Sequence, residues 1–295
     1  MYRDSTNKRF QPVSQITPSA SSDAVNSYAL GRSEQEYERL REQARRFEEA
    51  TQLILRRAGI PQGAHCVDIG SGPGEGMRLL RRFAGPSAMV TGMDIDGVLG
   101  RASLRRLEDE ESGRFEFHEL DIEKADRIPG GPYEVVFTRL VLLHLRDAVS
   151  AVRKMYEAVA PGGLLVVQDF DLRTWETFPS FEDSDLPRDV LMATLRASGK
   201  EPLVGPKLPE IFRAAGVPEP DECWRTGGMA FRGDGGIEVG LELLRSTLPA
   251  ALRLGVVTEE RVQRFFTAMD QRMRTDDMLY QVSPTMVGAW VRKPR

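Results

Sequence analysis

The sequence predicts an α/β fold, a mostly parallel sheet with helices on both of its faces. Two observations carry this. Between residues 65 and 171, short unbroken apolar runs alternate with amphipathic stretches. Runs without polar alternation belong to strands buried on both sides. The first run ends in Val67-Asp68-Ile69-Gly70-Ser71-Gly72-Pro73-Gly74 and the second in Met93-Asp94-Ile95-Asp96. The order strand, glycine turn, helix, strand, acid is that of a site for a nucleoside-bearing ligand.

Bulk properties bound the rest. The 295 residues are 41% hydrophobic and 28% charged, an ordinary globular composition with material for a sizeable core. A net charge of −4 argues against a nucleic-acid partner held by phosphate attraction. Cys66 and Cys223 stand far apart without a partner motif, so neither a disulfide framework nor a metal site is expected. No apolar run approaches the ~20 residues of a membrane span. The polar N-terminus lacks a signal-peptide core, and a cytoplasmic location is expected.

Residues 1–29, rich in Ser, Asn, Gln and Asp, read as a weakly structured arm. Ser33 and Glu36 have the spacing of a capping box. Tyr37, Leu40, Ala44, Phe47 and Ile54 then predict one long amphipathic helix, ended by Gly59 and Pro61. It packs on the core, contributes to a lid, or both. Strands are predicted near 65–70, 89–95, 115–121, 133–139 and 164–171, and helices over 75–84, 97–110 and 145–160. Pro161-Gly162-Gly163 stops the last helix and turns into Leu164.

Beyond Leu172 the rhythm changes. A helical stretch falls within 180–200, another helix over 207–215, a strand near 222–232, a helix pair within 236–274, and a closing strand over 279–291. The expected division is 1–60 N-terminal arm and helix, 61–175 cofactor-binding core, 176–275 remaining core elements with helical lid insertions, and 276–295 closing strand.

Ligands of such sheets sit beyond the carboxyl ends of the strands. There the glycines let the backbone turn tightly and approach a ligand with its N–H groups, and Asp94 is placed for a ribose diol. The dinucleotide fingerprint fits poorly: counted from Gly70, its third glycine is Glu75, and Asp68 would repel a pyrophosphate. An NAD-type oxidoreductase is therefore the minor alternative.

Asp68 through Gly74 is similar to motif I of class I S-adenosylmethionine (SAM) methyltransferases. Tyr133 to Arg139, continuing into Leu142-Leu143-His144-Leu145, resembles the family's fourth-strand region. Pro161-Gly162-Gly163-Leu164-Leu165 resembles the turn into its fifth strand, and 278–292 its antiparallel seventh. The resemblance covers about residues 35–175 well and the remainder loosely, and points to the natural-product or quinone branch. It implies a Rossmann-like seven-stranded sheet with an N-terminal helical extension and helical lid insertions. SAM is the implied cofactor, with S-adenosylhomocysteine (SAH) as product. Asp68 would orient the methionine ammonium, directly or through water. Gly70, Ser71, Gly72 and Gly74 would pass beneath the methionine and ribose. Asp94 would hold the ribose hydroxyls and Ile95 pack on the adenine. Asp121 would accept from the adenine amine while the Ile122 backbone meets the ring edge. Thr138 and Arg139, following the fourth strand, would stand near the methionine end. Asp96 reads as an N-cap.

For the chemistry, His144 lies on the ligand side and is the candidate general base, with helix capping the plainer role. His65 and His118 read as structural. Tyr28 precedes the first helix in a pattern the family shows there, and closes over the sulfonium or the substrate, or merely packs. Asp169 and Asp171 share one side of the fifth strand and read as hydrated loop or capping groups rather than metal ligands. Phe178, Phe181, Leu191, Met192, Leu195, Phe231, Phe265, Phe266 and Met269 offer material for an apolar cavity, although helix stripes are mostly core. The expectation is methyl transfer to O, N or C of an apolar small molecule of secondary metabolism. Alternatives are a C-methyltransferase that also triggers terpenoid-type cyclisation, and a non-catalytic SAM-binding module. The N-terminal helix offers a route to a homo-oligomer.

Overall fold

The computed structural model describes residues 34–227, 230–232, 234–275 and 279–295. In chain order the elements are α1 (Glu34–Arg46), α2 (Glu48–Ala58), β1 (His65–Ile69), α3 (Glu75–Ala84), β2 (Met89–Asp94), α4 (Gly97–Glu110), β3 (Arg114–Glu119) and β4 (Tyr133–Arg139). There follow α5 (Ala148–Glu157), β5 (Val159–Asp171), β6 (Glu176–Phe178), α6 (Leu186–Ala197), α7 (Val204–Ala215), β7 (Glu222–Arg225) and β8 (Ala230–Arg232). The chain closes with α8 (Asp234–Arg253), α9 (Glu259–Thr275), β9 (Tyr280–Val282) and β10 (Thr285–Arg292).

Seven strands form the main sheet in the order β3-β2-β1-β4-β5-β10-β7. The first five are parallel to their neighbours, and β10 runs antiparallel to both β5 and β7. The expected Rossmann-like sheet with an antiparallel closing strand is present. Its apolar runs feed two cores, since successive strand side chains point to opposite faces. Val135, Phe137, Leu164 and Val166 join Ile54, Leu80 and Leu107 on one face. Val136, Leu165 and Val167 join Met155, Leu208 and Phe212 on the other.

The long N-terminal helix breaks at Phe47, whose backbone sits at φ −99, ψ 12. Phe47 is buried and packs edge-on against Phe170, with ring centroids 5.0 Å apart. The break leaves α2 against the sheet, where Ile54 fills the space a Gly288 side chain would take, and carries α1 toward α3. Ser33, the 1–29 arm and Tyr28 lie outside the described residues.

Further expectations need correction. The 145–160 helix is shorter: Asp147 caps it, accepting from Ser150 N at 2.8 Å, and residues Leu142–His144 form a separate 3₁₀ turn. Pro161-Gly162-Gly163 lies within β5 rather than before it. The closing strand splits at Ser283-Pro284, because proline donates no ladder hydrogen bond, into β9 and β10. The 222–232 strand likewise divides into β7 and β8. β6, β9 and β8 make a second sheet of three strands. With α6, α8 and α9 it builds a cover with its own core, including Leu186, Leu241, Leu244, Phe265 and Met269. No described helix is long and apolar enough to cross a membrane.

Candidate active site

The site begins at the turn between β1 and α3. Gly70, Gly72 and Gly74 all have positive φ, at 73°, 48° and 81°, a conformation that costs glycine alone little. At Gly70 a side chain would also collide with Val141. The turn's N–H groups were expected to face a ligand, yet the chain consumes them. Gly70 N and Ser71 N donate to Met93 O at 2.7 and 3.0 Å, and Gly74 N donates to Ser71 O at 2.9 Å. Gly72 N donates to Asp94 Oδ2 at 2.8 Å, while Asp96 N donates to Asp94 Oδ1 at 2.9 Å. These bonds lock the end of β2 onto the turn. They leave a surface of backbone rather than a nest of donors, and a Cβ placed on Gly72 would meet nothing within 4 Å.

Asp68 lies beneath this turn, only 2% exposed. A Cβ on Gly76 would collide with its Oδ2, so the carboxyl lies against the first turn of α3. Its charge there disfavours the phosphate that a helix N-terminus otherwise attracts. Burial pushes its carboxyl up to about 7, with the Asp94 charge adding to the rise; Arg139 and the Met77 N–H oppose it.

Glu75, the first residue of α3, is 1% exposed and meets arginines from three helices. Arg78 Nε is 2.7 Å away, Arg41 Nε 3.2 Å, Arg106 Nη2 3.5 Å and Arg45 Nε 3.6 Å. Burial raises the Glu75 carboxyl, but Arg78, Arg106 and Arg45 outweigh it and hold the group below the usual range. Arg106 also donates to Pro73 O at 2.8 Å and to the Tyr37 hydroxyl at 2.7 Å. The turn is thereby tied to α1.

Other expected contacts divide. Ile95 is 47% exposed, as a side chain that packs on a ligand ring must be. Ile122 is buried in the core, leaving its backbone on the loop. Asp121 lies beyond β3 and caps its turn, accepting from Glu123 N at 3.1 Å and from Lys124 Nζ at 2.9 Å. Asp96 does cap α4, accepting from Leu99 N at 3.0 Å. One placement changes: Thr138 and Arg139, expected after the fourth strand, are its last two residues. The Thr138 hydroxyl donates to Ile69 O at 2.8 Å, clamping β4 to β1. The buried Ser71 hydroxyl has no hydrogen-bond partner and lies near Gly92, so only its backbone forms the cradle.

The loop after β4 carries His144, which is half-buried. Burial, then the Lys200 charge, lowers its imidazole to about 4, so it is neutral at pH 7. Asp169 holds this loop from below, accepting from Leu143 N at 3.2 Å and Phe170 N at 2.8 Å. Asp171 accepts from Arg173 Nε and Nη2, both at 2.8 Å, and lies 3.2 Å from Arg225. Both aspartates are fully buried, so they are anchors rather than hydrated groups. No cluster of three or more His, Cys, Asp or Glu suited to a metal occurs among the described residues.

Of the side chains expected to line an apolar cavity, several pack elsewhere, and the Phe231 side chain lies outside the described residues. Phe265 and Met269 are cover core, and Leu191 and Leu195 belong to the core below. Phe178 stacks on Tyr280 with centroids 5.5 Å apart. A cleft of about 420 Å³ lined by Phe181, Glu182, Ala268, Gln271, Arg272 and Thr275 is polar and borders α9, not the glycine turn. Sequence reasoning also missed Thr51 and Gln168. The only signal for Gln168 is a polar residue directly after the run Leu164 to Val167.

A family model described as a methyltransferase domain matches residues 41–200. The chain belongs to this methyltransferase-domain family. Its similarity to trans-aconitate 2-methyltransferase of Paracidovorax citrulli is 31% identity over 134 residues, 44% of this chain and 49% of that protein. A ubiquinone/menaquinone biosynthesis C-methyltransferase of Pseudomonas fluorescens is 29% identical over 123 residues, 41% of this chain and 48% of its own. The matched part spans about half the length of these curated relatives. The YcgJ protein of Bacillus subtilis shares the fold, with a TM-score of 0.53 at 13% identity, over 84% of this chain and 99% of its own. The fold is that of the class I methyltransferases, whose methyl donor is SAM. The methyltransferase turn fits it: the open space over Gly72 adjoins a carboxylate suited to a ribose diol, and the helix N-terminus is closed to phosphate by Asp68.

Proposed function

We propose that this methyltransferase-family chain transfers the methyl group of SAM to a small organic acceptor. The observation that carries the reading is the spent glycine turn, whose N–H groups are all engaged within the chain while its surface over Gly72 stays open. A dinucleotide pyrophosphate needs those donors; a SAM ribose and methionine need a close backbone and Asp94. In this assignment Asp94 holds the ribose diol, Ile95 packs on the adenine, and the Asp121–Ile122 loop borders its edge. Asp68 orients the ammonium through the turn above it. When bound, SAM supplies an electrophilic methyl group.

The chain's own contribution is chiefly positioning and exclusion of water. With its imidazole lowered to about 4, His144 is a weak base. That favours acceptors that need no proton removed beforehand, such as an electron-rich carbon or an ionised carboxylate. The relatives are named for trans-aconitate and for ubiquinone/menaquinone biosynthesis, and support a small organic acceptor. The apolar character expected of it keeps part of its support: Leu191, Leu195, Phe265 and Met269 are core, while Phe178, Phe181, Met192 and Phe266 stay partly exposed.

Calorimetry of the wild-type chain with SAM and SAH tests the reading. Absence of binding would sink it, and Asp94→Ala is expected to weaken binding at least about tenfold, the loss of hydrogen bonds to a charged group. Binding with no SAH formed across a broad acceptor panel would leave a cofactor-binding module instead.

A further inference from the structure

Arg139 and Gln168 are register partners at the carboxyl ends of β4 and β5. Register partners of adjacent parallel strands share a face of the sheet. Thr51 of α2 links the two side chains. Arg139 Nη1 donates to Thr51 Oγ1 at 3.0 Å, and Thr51 Oγ1 lies 2.9 Å from Gln168 Oε1. Arg139 Nη1 also reaches Ala44 O at 3.4 Å, on the last turn of α1.

Both groups retain unused donors. A guanidinium carries five N–H groups, and the hydrogen bonds Arg139 makes to described residues all come from Nη1. Asp68, Glu75 and Glu48 act on it by charge, but no described carboxylate oxygen comes within 4.0 Å. Gln168 is 0% exposed, and its Nε2 has no hydrogen-bond partner. A buried donor left unpaired costs about 1–3 kcal/mol, and a half-buried cation without an acid adds to that. The missing partner must accept from both an amide and a guanidinium, which is the chemistry of a carboxylate.

We propose that Arg139 and Gln168 form a carboxylate subsite. The proposal rests on the methyltransferase reading, which supplies two sources: the methionine carboxylate of SAM, or a carboxylate on the acceptor. Phe47 packs on Phe170 beside this pair, and its carbonyl accepts from Thr51 Oγ1 at 3.0 Å.

The test is calorimetry on the full chain and on Arg139→Met, Arg139→Lys and Gln168→Glu. The ligands are SAH, 5′-methylthioadenosine, which lacks the amino-acid portion, and citrate or benzoate added to SAH-saturated protein. If the carboxylate is the cofactor's, Arg139→Met and Gln168→Glu weaken SAH at least about tenfold and leave methylthioadenosine within about twofold. Arg139→Lys, which keeps the charge and loses the fork, falls between. If it is the acceptor's, both nucleosides bind as before and citrate or benzoate binding is lost. Equal weakening of SAH and methylthioadenosine means a structural role only and overturns the subsite. Unchanged binding of every ligand also overturns it. Gln168→Glu is nearly isosteric and carries the test if Arg139→Met fails to fold. A wild-type chain that binds no SAH defeats the methyltransferase reading and the subsite with it.

Discussion

Asp68 and Glu75 stand on either side of the same glycine turn, one at 2% and the other at 1% exposure, and their charges meet opposite fates. Asp68 is pushed up to about 7 by burial. Glu75, also raised by burial, is brought below the usual range by its arginines. Depth is the same in both places; the number of close cations differs. Arg139 acts on Asp68 only at a distance, whereas four arginines lie within 3.6 Å of Glu75. The pair separates two jobs. Asp68 packs beneath the turn against the start of α3, and Glu75 ties the turn to α1 and α4.

The strongest way to break this contrast is Glu75→Ala. It leaves Arg41, Arg78 and Arg106, each at most 16% exposed, around an empty place. Removing one partner of a buried ion pair costs about 3–5 kcal/mol. Urea denaturation should show a loss of that size, and a loss under about 1 kcal/mol would mean that Glu48 and Glu110 carry the arginines unaided.

Asp68→Asn tests the other side through pH. The folded carboxyl is raised, so the folded state holds its proton to higher pH than the unfolded chain does. The associated stability is full below about pH 4 and is lost as pH rises through about 7. Asp169 is also pushed up to about 7, by burial against the N–H groups of Phe170, Leu143 and Leu142, and follows the same sign. The wild-type urea midpoint should fall between pH 5 and 8, with Asp68 contributing on the order of 1–2 kcal/mol. Asparagine at 68 removes that share and leaves the share of Asp169. Parallel curves for wild type and variant across this range would refute the raised carboxyl.

Gly76→Ala sets two known effects against each other. Alanine in a helix interior gains about 1 kcal/mol over glycine. Here its Cβ would strike Asp68 Oδ2 and come 3.2 Å from Phe137 Cε1. Both neighbours are buried, and overpacking costs about 1–3 kcal/mol. A net loss of about 1 kcal/mol is expected by thermal melting. A gain would show that Asp68 moves freely, contrary to its tight packing against Gly76.

How much of this was legible varies by region for physical reasons. β1, β2 and β4 match their predicted spans closely because unbroken apolar runs bounded by glycine turns leave little choice of register. The break at Phe47 was invisible, since α1 and α2 each keep a helical stripe and the cause is Phe170, more than a hundred residues away. β9 and β10 read as one strand because both are strand-like; their separation into two sheets depends on the cover. At the site, the motif located the turn and the acids that bound it. It did not tell which way the Ser71 and Thr138 side chains go: Thr138 turns to bond Ile69 O on β1, and Ser71 lies near Gly92 without a partner. Glu75 was noticed only as the residue that spoils a dinucleotide pattern, while its arginines come from three helices, α1, α3 and α4.

Arg45→Ala is the smallest and sharpest test of the Glu75 hub. Arg45 is 49% exposed and 3.6 Å from the carboxylate, the outermost of the four arginines. An exposed pair of this kind contributes roughly 0.2–1 kcal/mol and is screened by salt. If the arginines act independently, Arg45→Ala should cost within that range, and combining it with Arg106→Ala should add the two separate losses to within about 0.5 kcal/mol. If they share Glu75 cooperatively, the double variant departs from additivity, and the departure measures how firmly α1 is fastened to the turn. Strict additivity would mean that Arg45 and Arg106 act on Glu75 independently, and the contrast with Asp68 would then rest on separate pairs rather than one network.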